Sequence, residues 1–327
     1  MPTPAFRVRH VVPALLGAVL LATSFASLAE AKTKSKPAGL RVVSSSGKSF
    51  AQGTQFTAPT EIKTSKDADC FGPGTGGSGQ KVDLPGFTAL GQLADGPAAF
   101  PKLDPISVTD AFSFGLGLCG IGDDVAPSTG FWYLKVNHAA SMAGGDQTAV
   151  GKSDEVLWYL IEDFNDPTPD ELELKVPSGS AGEKVTAKVV SYADDGTKSA
   201  AAGATIKGVD QVTDSEGKVK ITLGSGVTTY RATRAGSIPS NSVTVCADKA
   251  KDCAPGYART IGGTKKADSI TGAGEAEAIF AGPGNDEVDA RKGNALDKIN
   301  CGPGEDELIL VKGTKSPSKS CEKVKFK

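Results

Sequence analysis

The sequence predicts a mainly β protein made of several small modules, and three observations indicate this. The chain has 327 residues, with 40 glycines, 19 prolines and only 6% aromatic residues, a composition typical of turn-rich β structure rather than of one large enzyme core. Short runs with strand alternation recur along it, separated by glycine, proline and aspartate. Towards the C-terminus, an acidic residue followed two positions later by an aliphatic one recurs at a nearly constant step, which indicates a repeat architecture.

Residues 1–31 have the pattern of a secretory signal peptide. Arg7 and Arg9 supply the positive region, an apolar run extends from Val11 to Ala22, and residues 29–31 (AEA) form a small-x-small cleavage site. The apolar run is shorter than the roughly 20 residues that a membrane-spanning helix needs. We therefore expect a secreted, extracellular protein with no membrane span once the leader is removed.

Two turn-rich segments divide the remaining chain into three modules. Residues 165–170 (NDPTPD) and residues 247–256 (ADKAKDCAPG) combine proline with polar turn formers. The predicted modules are an N-terminal module over residues 39–166, a middle module over residues 171–246 and a C-terminal module over residues 257–327.

The six cysteines fall two by two along the chain. In an oxidising compartment they favour three disulfides over a zinc site. If each module is stapled locally, one of the 15 possible connectivities is favoured. This predicts the pairs Cys70–Cys119, Cys246–Cys253 and Cys301–Cys321.

The N-terminal module combines short strands with one helical segment. TALGQLAD places Leu90 and Leu93 on one side of a helix, and FWYLKVN and DEVLWYLI are strands rich in aromatic and β-branched residues. The FWYLKVN strand, the polar loop after it and the late DEVLWYL strand resemble a small domain of unknown function, found at the C-terminal end of transcobalamin and in many bacterial surface proteins. That resemblance implies a compact α+β, β-grasp-like unit.

Two adjacent aromatic pairs are the candidate ligand-binding residues of this module: Trp132 with Tyr133, and Trp158 with Tyr159. Strand alternation predicts that one member of each pair faces the core and the other faces outward. The outward rings would have one of two roles. They would either cover the core or, together with the neighbouring polar loop of residues 138–153, form a platform that binds a cofactor or glycan. The transcobalamin resemblance implies a corrinoid as one such ligand. His138, within the loop, is expected to be solvated.

The middle module is predicted to be a small β-sandwich. Six runs with strand character occur in its 76 residues, separated by turns such as SGSAG and VTDSEG. The segments AGATIKG and VTDSEGKVKITL resemble bacterial Ig-like and carboxypeptidase-regulatory-like modules. The resemblance implies a spacer or adhesive unit.

The C-terminal module contains five repeats, which we call rungs one to five. Each pairs an acidic residue with an aliphatic residue two positions later: Asp268/Ile270, Glu277/Ile279, Asp286/Val288, Asp297/Ile299 and Asp306/Leu308. Successive acidic residues are 9, 9, 11 and 9 positions apart. These rungs resemble the GGxGxDxUx nonapeptides of RTX, or hemolysin-type, proteins. The resemblance implies a short parallel β-roll that binds calcium.

Rungs three and five alone keep an intact GPGxD turn. Two nonapeptides complete one coil of a β-roll, so rungs three and five should stack on the same side. The predicted calcium ligands are Asp286 and Asp306, with the backbone carbonyls of Gly282, Gly284, Gly302 and Gly304. Weaker sites are expected at Asp268, Glu277 and Asp297. The alternative is a degenerate roll held only by its aliphatic residues, without metal.

The net charge and the absence of known catalytic and nucleotide-binding motifs reduce the number of possible functions. With 36 basic and 38 acidic side chains the net charge is −2, which favours no nucleic-acid partner. The mature chain keeps one histidine, and neither GxSxG nor a phosphate-binding loop occurs. We therefore predict a non-enzymatic, monomeric extracellular protein that binds calcium and an unidentified ligand or surface. The alternatives are a corrinoid- or glycan-capture protein with a metal-free tail, and a secreted hydrolase of unrecognised type.

Overall fold

Strands dominate the part of the chain that the computed structural model describes, residues 35–247, 253–316 and 318–327. Within these residues there are 25 strands, one seven-residue α-helix and two short 3₁₀ helices, so the predicted mainly β class is confirmed. The predicted signal peptide, residues 1–31, lies outside the described residues, as do residues 248–252 of the second predicted boundary. No helix among the described residues is long and apolar enough to cross a membrane.

The N-terminal module packs its helix and its strands around a single apolar cluster. The helix begins where the side chain of Thr88 accepts a hydrogen bond from the Gly91 amide, and it buries Leu90 and Leu93. This confirms the predicted helical segment. The elements are β1 (Lys36–Val43), β2 (Ser49–Thr57), β3 (Thr60–Lys63), β4 (Lys81–Leu84), α1 (Ala89–Asp95), 3₁₀ helices Gly96–Ala98 and Pro101–Leu103, β5 (Ile106–Phe112), β6 (Gly115–Ile121), β7 (Asp124–Val125), β8 (Phe131–Val136), β9 (Ala139–Ala140) and β10 (Glu155–Ile161).

The middle module has two sheets that enclose a second apolar cluster. Strand alternation is regular here, as in β15, where Val219 and Ile221 are buried between exposed residues. The strands are β11 (Asp170–Lys175), β12 (Lys184–Tyr192), β13 (Lys198–Ala200), β14 (Thr205–Ile206), β15 (Lys218–Thr222), β16 (Val227–Thr233), β17 (Ser237–Ile238) and β18 (Ser242–Cys246). Five of them (β11, β12, β13, β15 and β17) form one sheet, and β14, β16 and β18 form the other.

The C-terminal module is a parallel coil whose strands alternate between two sheets. Strands β19, β21 and β23 lie in one sheet, and β20, β22, β24 and β25 lie in the other. Alternate rungs therefore stack in register, with Val288 beside Leu308, as predicted for rungs three and five. The strands are β19 (Arg259–Gly262), β20 (Ser269–Thr271), β21 (Glu277–Phe280), β22 (Glu287–Asp289), β23 (Lys298–Asn300), β24 (Glu307–Leu310) and β25 (Lys323–Phe326).

One face of this coil continues the sheet of the N-terminal module. The shared sheet has eight strands in the order β23-β21-β19-β2-β1-β10-β8-β9. The joint is the parallel pairing of β19 with β2, where Ile261 lies beside Thr54. Phe56 of β2 also packs into the apolar interior of the coil. The two modules are thus joined by backbone hydrogen bonds as well as by side chains.

Three disulfides staple the fold. They join Cys70 to Cys119, Cys246 to Cys253 and Cys301 to Cys321, and the described residues contain no free cysteine. These are the pairs that local stapling predicts. Disulfides of this number are typical of proteins that fold in an oxidising, extracellular environment.

Candidate functional site

An aromatic cavity of about 520 Å³ lies in the N-terminal module. Its walls come from strands β8 and β10, the β5–β6 hairpin and the loop after β9, together with Leu90 of α1 and Phe71 of the segment between β3 and β4. None of the described residues that line it is Asp, Glu, His, Lys or Arg. The aromatic residues in the lining are Phe71, Phe112, Phe114, Phe131, Trp132, Tyr133 and Trp158.

Trp132 and Trp158 are the two tryptophans of the chain, and both line this cavity. In the antiparallel pairing of β8 with β10, Trp132 lies opposite Leu160 and Trp158 lies opposite Leu134. The two indoles are therefore diagonal neighbours on one face of the sheet. Both are buried, and neither Nε1 atom has a hydrogen-bond partner among the described residues.

The mouth of the cavity carries a group of three phenylalanine rings. Phe112 and Phe114 stack with their centroids 5.1 Å apart, and Phe71 meets Phe112 edge-on at 5.3 Å. Phe114 is 74% exposed although it is a large apolar side chain. The disulfide from Cys70 to Cys119 ties the segment of Phe71 to strand β6, so these rings are held together at the rim.

The loop after β9 is fixed against the helix and against the hairpin. The Gly145 carbonyl accepts a hydrogen bond from the Leu90 amide at 2.9 Å, and the Gln147 side chain donates to the Phe114 carbonyl. A Cβ atom on Gly145 would come within 2.5 Å of the Trp158 ring. Glycine at this position therefore lets the loop backbone approach the indole and close one wall of the cavity.

The tyrosines of the two aromatic pairs face the opposite side of the sheet, and the middle module covers them. The Tyr133 hydroxyl donates to Asp194 Oδ1 at 2.5 Å, and Tyr159 packs against the apolar group of Val43, Leu157 and Ile238. Burial and this hydrogen bond raise the pKa of Tyr133. Tyr133 is buried and Tyr159 is half-buried. The prediction of an exposed ring is therefore wrong for Tyr133, because strand alternation gives the face of a residue but not what packs on that face.

A buried charge cluster joins the same face to the middle module. Glu171 on β11 forms an ion pair with Arg41 and lies 3.1 Å from Nδ1 of His138, whose ring stacks on Tyr192 at 3.7 Å. Burial raises the pKa of Glu171, but the contact with His138 and the charges of Arg41 and Lys135 outweigh this and hold the pKa below its usual value. His138 is thus packed in an interface, and the prediction of a solvated loop residue is wrong.

A polar cleft of about 920 Å³ opens beside this cluster, where the three modules meet. Its lining mixes both signs of charge, including Arg41, Glu171, Glu155 and Arg259. Arg41 and Arg259 already form ion pairs, with Glu171 and Glu277. Since acidic and basic groups are interspersed and partly paired, the cleft presents no single charge that would select a ligand.

The acidic residues of the roll form a ladder of hydrogen bonds on each side. On one side, Asp286 Oδ1 accepts from the Asp268 amide, Asp306 Oδ1 from the Asp286 amide, and Glu322 Oε2 from the Asp306 amide, each at 2.8 Å. On the other side, Asp297 Oδ1 accepts from the Glu277 amide at 3.0 Å. Each carboxylate thus holds the backbone of the preceding rung on its own side of the roll.

The predicted calcium ligands lie together in this ladder. Asp306 Oδ2 and Asp268 Oδ1 are buried and accept no hydrogen bond from the described residues. The turns stack so closely that the Gly284 carbonyl oxygen occupies the space that a Cβ on Gly304 would need, and Gly282 lies in the same way against Gly302. No group of three or more His, Cys, Asp and Glu side chains in the described ranges is arranged to hold a metal ion.

The expected weaker site at Glu277 and Asp297 is already occupied by protein groups. Arg259 forms an ion pair with Glu277, and the Ala273 amide donates to the other oxygen of that carboxylate at 2.8 Å. Asp297 also accepts from the Asn294 amide at 3.0 Å. No sequence pattern marks Arg259, because it precedes the first rung and only the coil brings it beside rung two.

The chain was also compared with known proteins. It matches no protein-family model, no curated protein and no solved structure.

Proposed function

We propose that this is a secreted binding protein that captures a small apolar molecule in the aromatic cavity of its N-terminal module. The observation that carries the proposal is a cavity of about 520 Å³ whose lining contains seven aromatic residues and no Asp, Glu, His, Lys or Arg among the described residues. Ligand sites are typically concave and apolar with a few polar groups, and they have volumes of about 300–1,000 Å³. The aromatic cavity has these properties.

The lining also favours one kind of ligand over the two that the sequence suggested. A glycan carries many hydroxyl groups that need hydrogen-bond partners when buried, whereas this cavity is lined mostly by hydrocarbon. A corrinoid, with its macrocycle and amide side chains, is too bulky for a cavity of about 520 Å³. A smaller and less polar molecule fits better.

Binding is favoured over catalysis for the same reason. General acid–base and nucleophilic mechanisms need a titratable or nucleophilic side chain within reach of the substrate. The two lining hydroxyls are engaged elsewhere: that of Tyr133 with Asp194, and that of Ser141 with Thr148 at 2.7 Å. We therefore propose a non-enzymatic role for this cavity.

Filling the cavity mouth tests the proposal. Ala143 is exposed and lines the cavity, so Ala143→Phe should weaken binding of the neutral three-ring probe fluorene by at least tenfold in equilibrium dialysis. Val212→Phe, at an exposed position of the middle module, is the matched control and should bind as the wild type does. Absence of saturable binding, or equal binding by both variants, would contradict the proposal.

We also propose that calcium binds to the tail, at Asp306 and Asp286 with turn carbonyls. The supporting observation is the buried, unpartnered oxygen of Asp306 beside stacked glycine turns, because calcium prefers carboxylate and carbonyl oxygens. When bound, the ion would neutralise buried negative charge between rungs. Asp286 and Asp306 would hold it while continuing to accept the backbone hydrogen bonds of the ladder.

Thermal unfolding of the full chain in calcium and in chelator tests this second proposal. Millimolar calcium should raise the melting temperature, since a ligand that binds only the folded state stabilises it. Asp306→Asn should abolish the calcium-dependent part of the shift, whereas Asp289→Asn, at an aspartate paired with Arg291 outside the ladder, should keep it. A melting temperature that does not respond to calcium would exclude a functional site.

A further inference from the structure

We propose that the outer edge of strand β25 binds an extended acidic segment of a partner protein, which adds to the roll as one further rung. This inference depends neither on the aromatic cavity nor on calcium. In the described sheets, β25 pairs with β24 alone, so its other edge has no strand beside it. An open strand edge is the surface to which an extended peptide adds by backbone hydrogen bonding.

The hydrogen bonds between rungs fix the register of the added segment. The amide after each acidic residue donates to the carbonyl of the acidic residue one coil earlier, at 2.8–2.9 Å: Glu287 to Asp268, Glu307 to Asp286 and Lys323 to Asp306. The Lys327 amide also points to β24, so the amides of Val324 and Phe326 point to the open edge. By the same repeat, the residue after the acidic one in the segment would donate to the Glu322 carbonyl.

The apolar side chains of the edge define two positions of the segment. Val324 and Phe326 lie in register with Leu308 and Leu310 of β24. They are 37% and 51% exposed, whereas Leu308 and Leu310 are 0% and 2% exposed. The aliphatic interior of the roll is thus covered at every rung except this one. Two aliphatic residues, two positions apart in the segment, would cover it.

The carboxylate ladder defines a third position. Asp306 accepts from the Asp286 amide, and Glu322 accepts from the Asp306 amide. Glu322 is the last carboxylate of this series, so its own amide has no such acceptor among the described residues. An acidic residue of the segment would supply it. The segment therefore has the pattern acidic–x–aliphatic–x–aliphatic, which is the pattern of the rungs themselves.

Charge favours an acidic partner over a second copy of this chain. Residues 311–327 contain six lysines and a single acidic residue. Two of these lysines pair with Glu305 and Glu307, and the other four are exposed and form no ion pair with a described residue. Two copies joined at this edge would bring their lysines together, and like charges across an interface are unfavourable.

A six-residue peptide with the sequence of rung five tests the proposal. The probe is EDELIL, residues 305–310, with both ends blocked and a fluorescent label. It should bind the full chain saturably in fluorescence anisotropy. N-methylation of its isoleucine, whose amide would donate to the Val324 carbonyl, should weaken binding about tenfold or more, because a backbone hydrogen bond is lost.

N-methylation of the first leucine of the probe is the matched control, because that amide would face away from β25. It should leave the affinity within about threefold of that of the unmodified probe. Equal binding by the two methylated peptides would overturn strand addition and indicate attraction by charge alone. Absence of saturable binding by the unmodified probe would also overturn the proposal.

A variant of the chain then assigns binding to this edge. Val324→Pro removes an amide that points outward, where proline is tolerated in an edge strand, and it should weaken probe binding about tenfold. Val324→Ala keeps the amide and should weaken binding less. Unchanged binding by Val324→Pro would overturn the assignment to β25. If Val324→Pro lowers the melting temperature of the roll, the two methylated peptides decide.

Discussion

At the scale of single residues, the buried polar groups are the part of the site that sequence patterns locate least well. Alternation predicts that one member of each aromatic pair faces the core, and the structure shows that these members are Trp132 and Trp158. It does not reveal that Glu171, from another module, would lie against Arg41 and His138. Such contacts join residues more than 30 positions apart and leave no local pattern, so only the folded chain discloses them.

Asp95 is a buried residue with a testable effect on stability. It ends helix α1, it is 2% exposed, and the only hydrogen bond that its carboxyl accepts from the described residues comes from Thr60 Oγ1 at 3.0 Å. Burial raises its pKa to about 7. Since the pKa is higher in the folded than in the unfolded chain, the folded state binds the proton more tightly, and this carboxyl makes stability fall as pH rises from 4 to 8.

Asp95→Asn should remove that contribution. A difference of about 3 pKa units corresponds to at most about 4 kcal/mol, so the variant should gain stability relative to the wild type as pH rises. Urea unfolding at pH 4, 6 and 8 measures this difference. If both proteins have the same pH dependence, Asp95 is not the group responsible.

At the scale of elements, local patterns predict strands well and their partners poorly. The helix at residues 89–95 and the rung strands β20 to β24 follow directly from their periodicity. Strand β19 lacks the acidic–aliphatic pair that identifies the rungs, yet it joins the coil to β2. Pairing between strands some 200 residues apart depends on the whole fold rather than on a local signal.

The stacked turns of the roll give a prediction at this scale. A Cβ on Gly304 would lie 1.5 Å from the Gly284 carbonyl oxygen, so Gly304→Ala must push two turns apart. Overpacking of this kind costs about 1–3 kcal/mol. Gly274→Ala, where the nearest atom would lie 4.0 Å away, is the control and should be nearly neutral. Chemical denaturation of both variants measures the difference; equal stabilities would mean that the turns are not closely stacked.

At the scale of the whole molecule, the modules share more than covalent links. The N-terminal and C-terminal modules contribute to one eight-stranded sheet. The Arg41–Glu171 pair and the apolar group of Val43, Leu157 and Ile238 join the N-terminal and middle modules. Locally closed disulfides are compatible with this arrangement, because each bridge staples a loop without determining what packs on it.

Because the N-terminal and C-terminal modules share one sheet, we predict that they unfold together. Separating them would expose the edge of β2 and the Phe56 side chain, which packs inside the roll. Both tryptophans lie in the N-terminal module, so their fluorescence follows the melting of that module. Gly304→Ala, which strains the roll, should therefore also lower the melting temperature seen by tryptophan fluorescence. A fluorescence transition that stays in place while calorimetry shows an earlier melting of the roll would instead indicate independent modules.

The indole N–H groups give the most direct test of ligand capture. The chain has two tryptophans, so a ¹H–¹⁵N correlation spectrum should contain two indole signals, from Trp132 and Trp158. Capture of fluorene in the aromatic cavity predicts that saturating fluorene shifts these signals, because the rings of the ligand would lie beside Trp132 and Trp158 in the cavity lining. Indole signals that stay in place at saturating fluorene would contradict the assignment of the aromatic cavity as the ligand site.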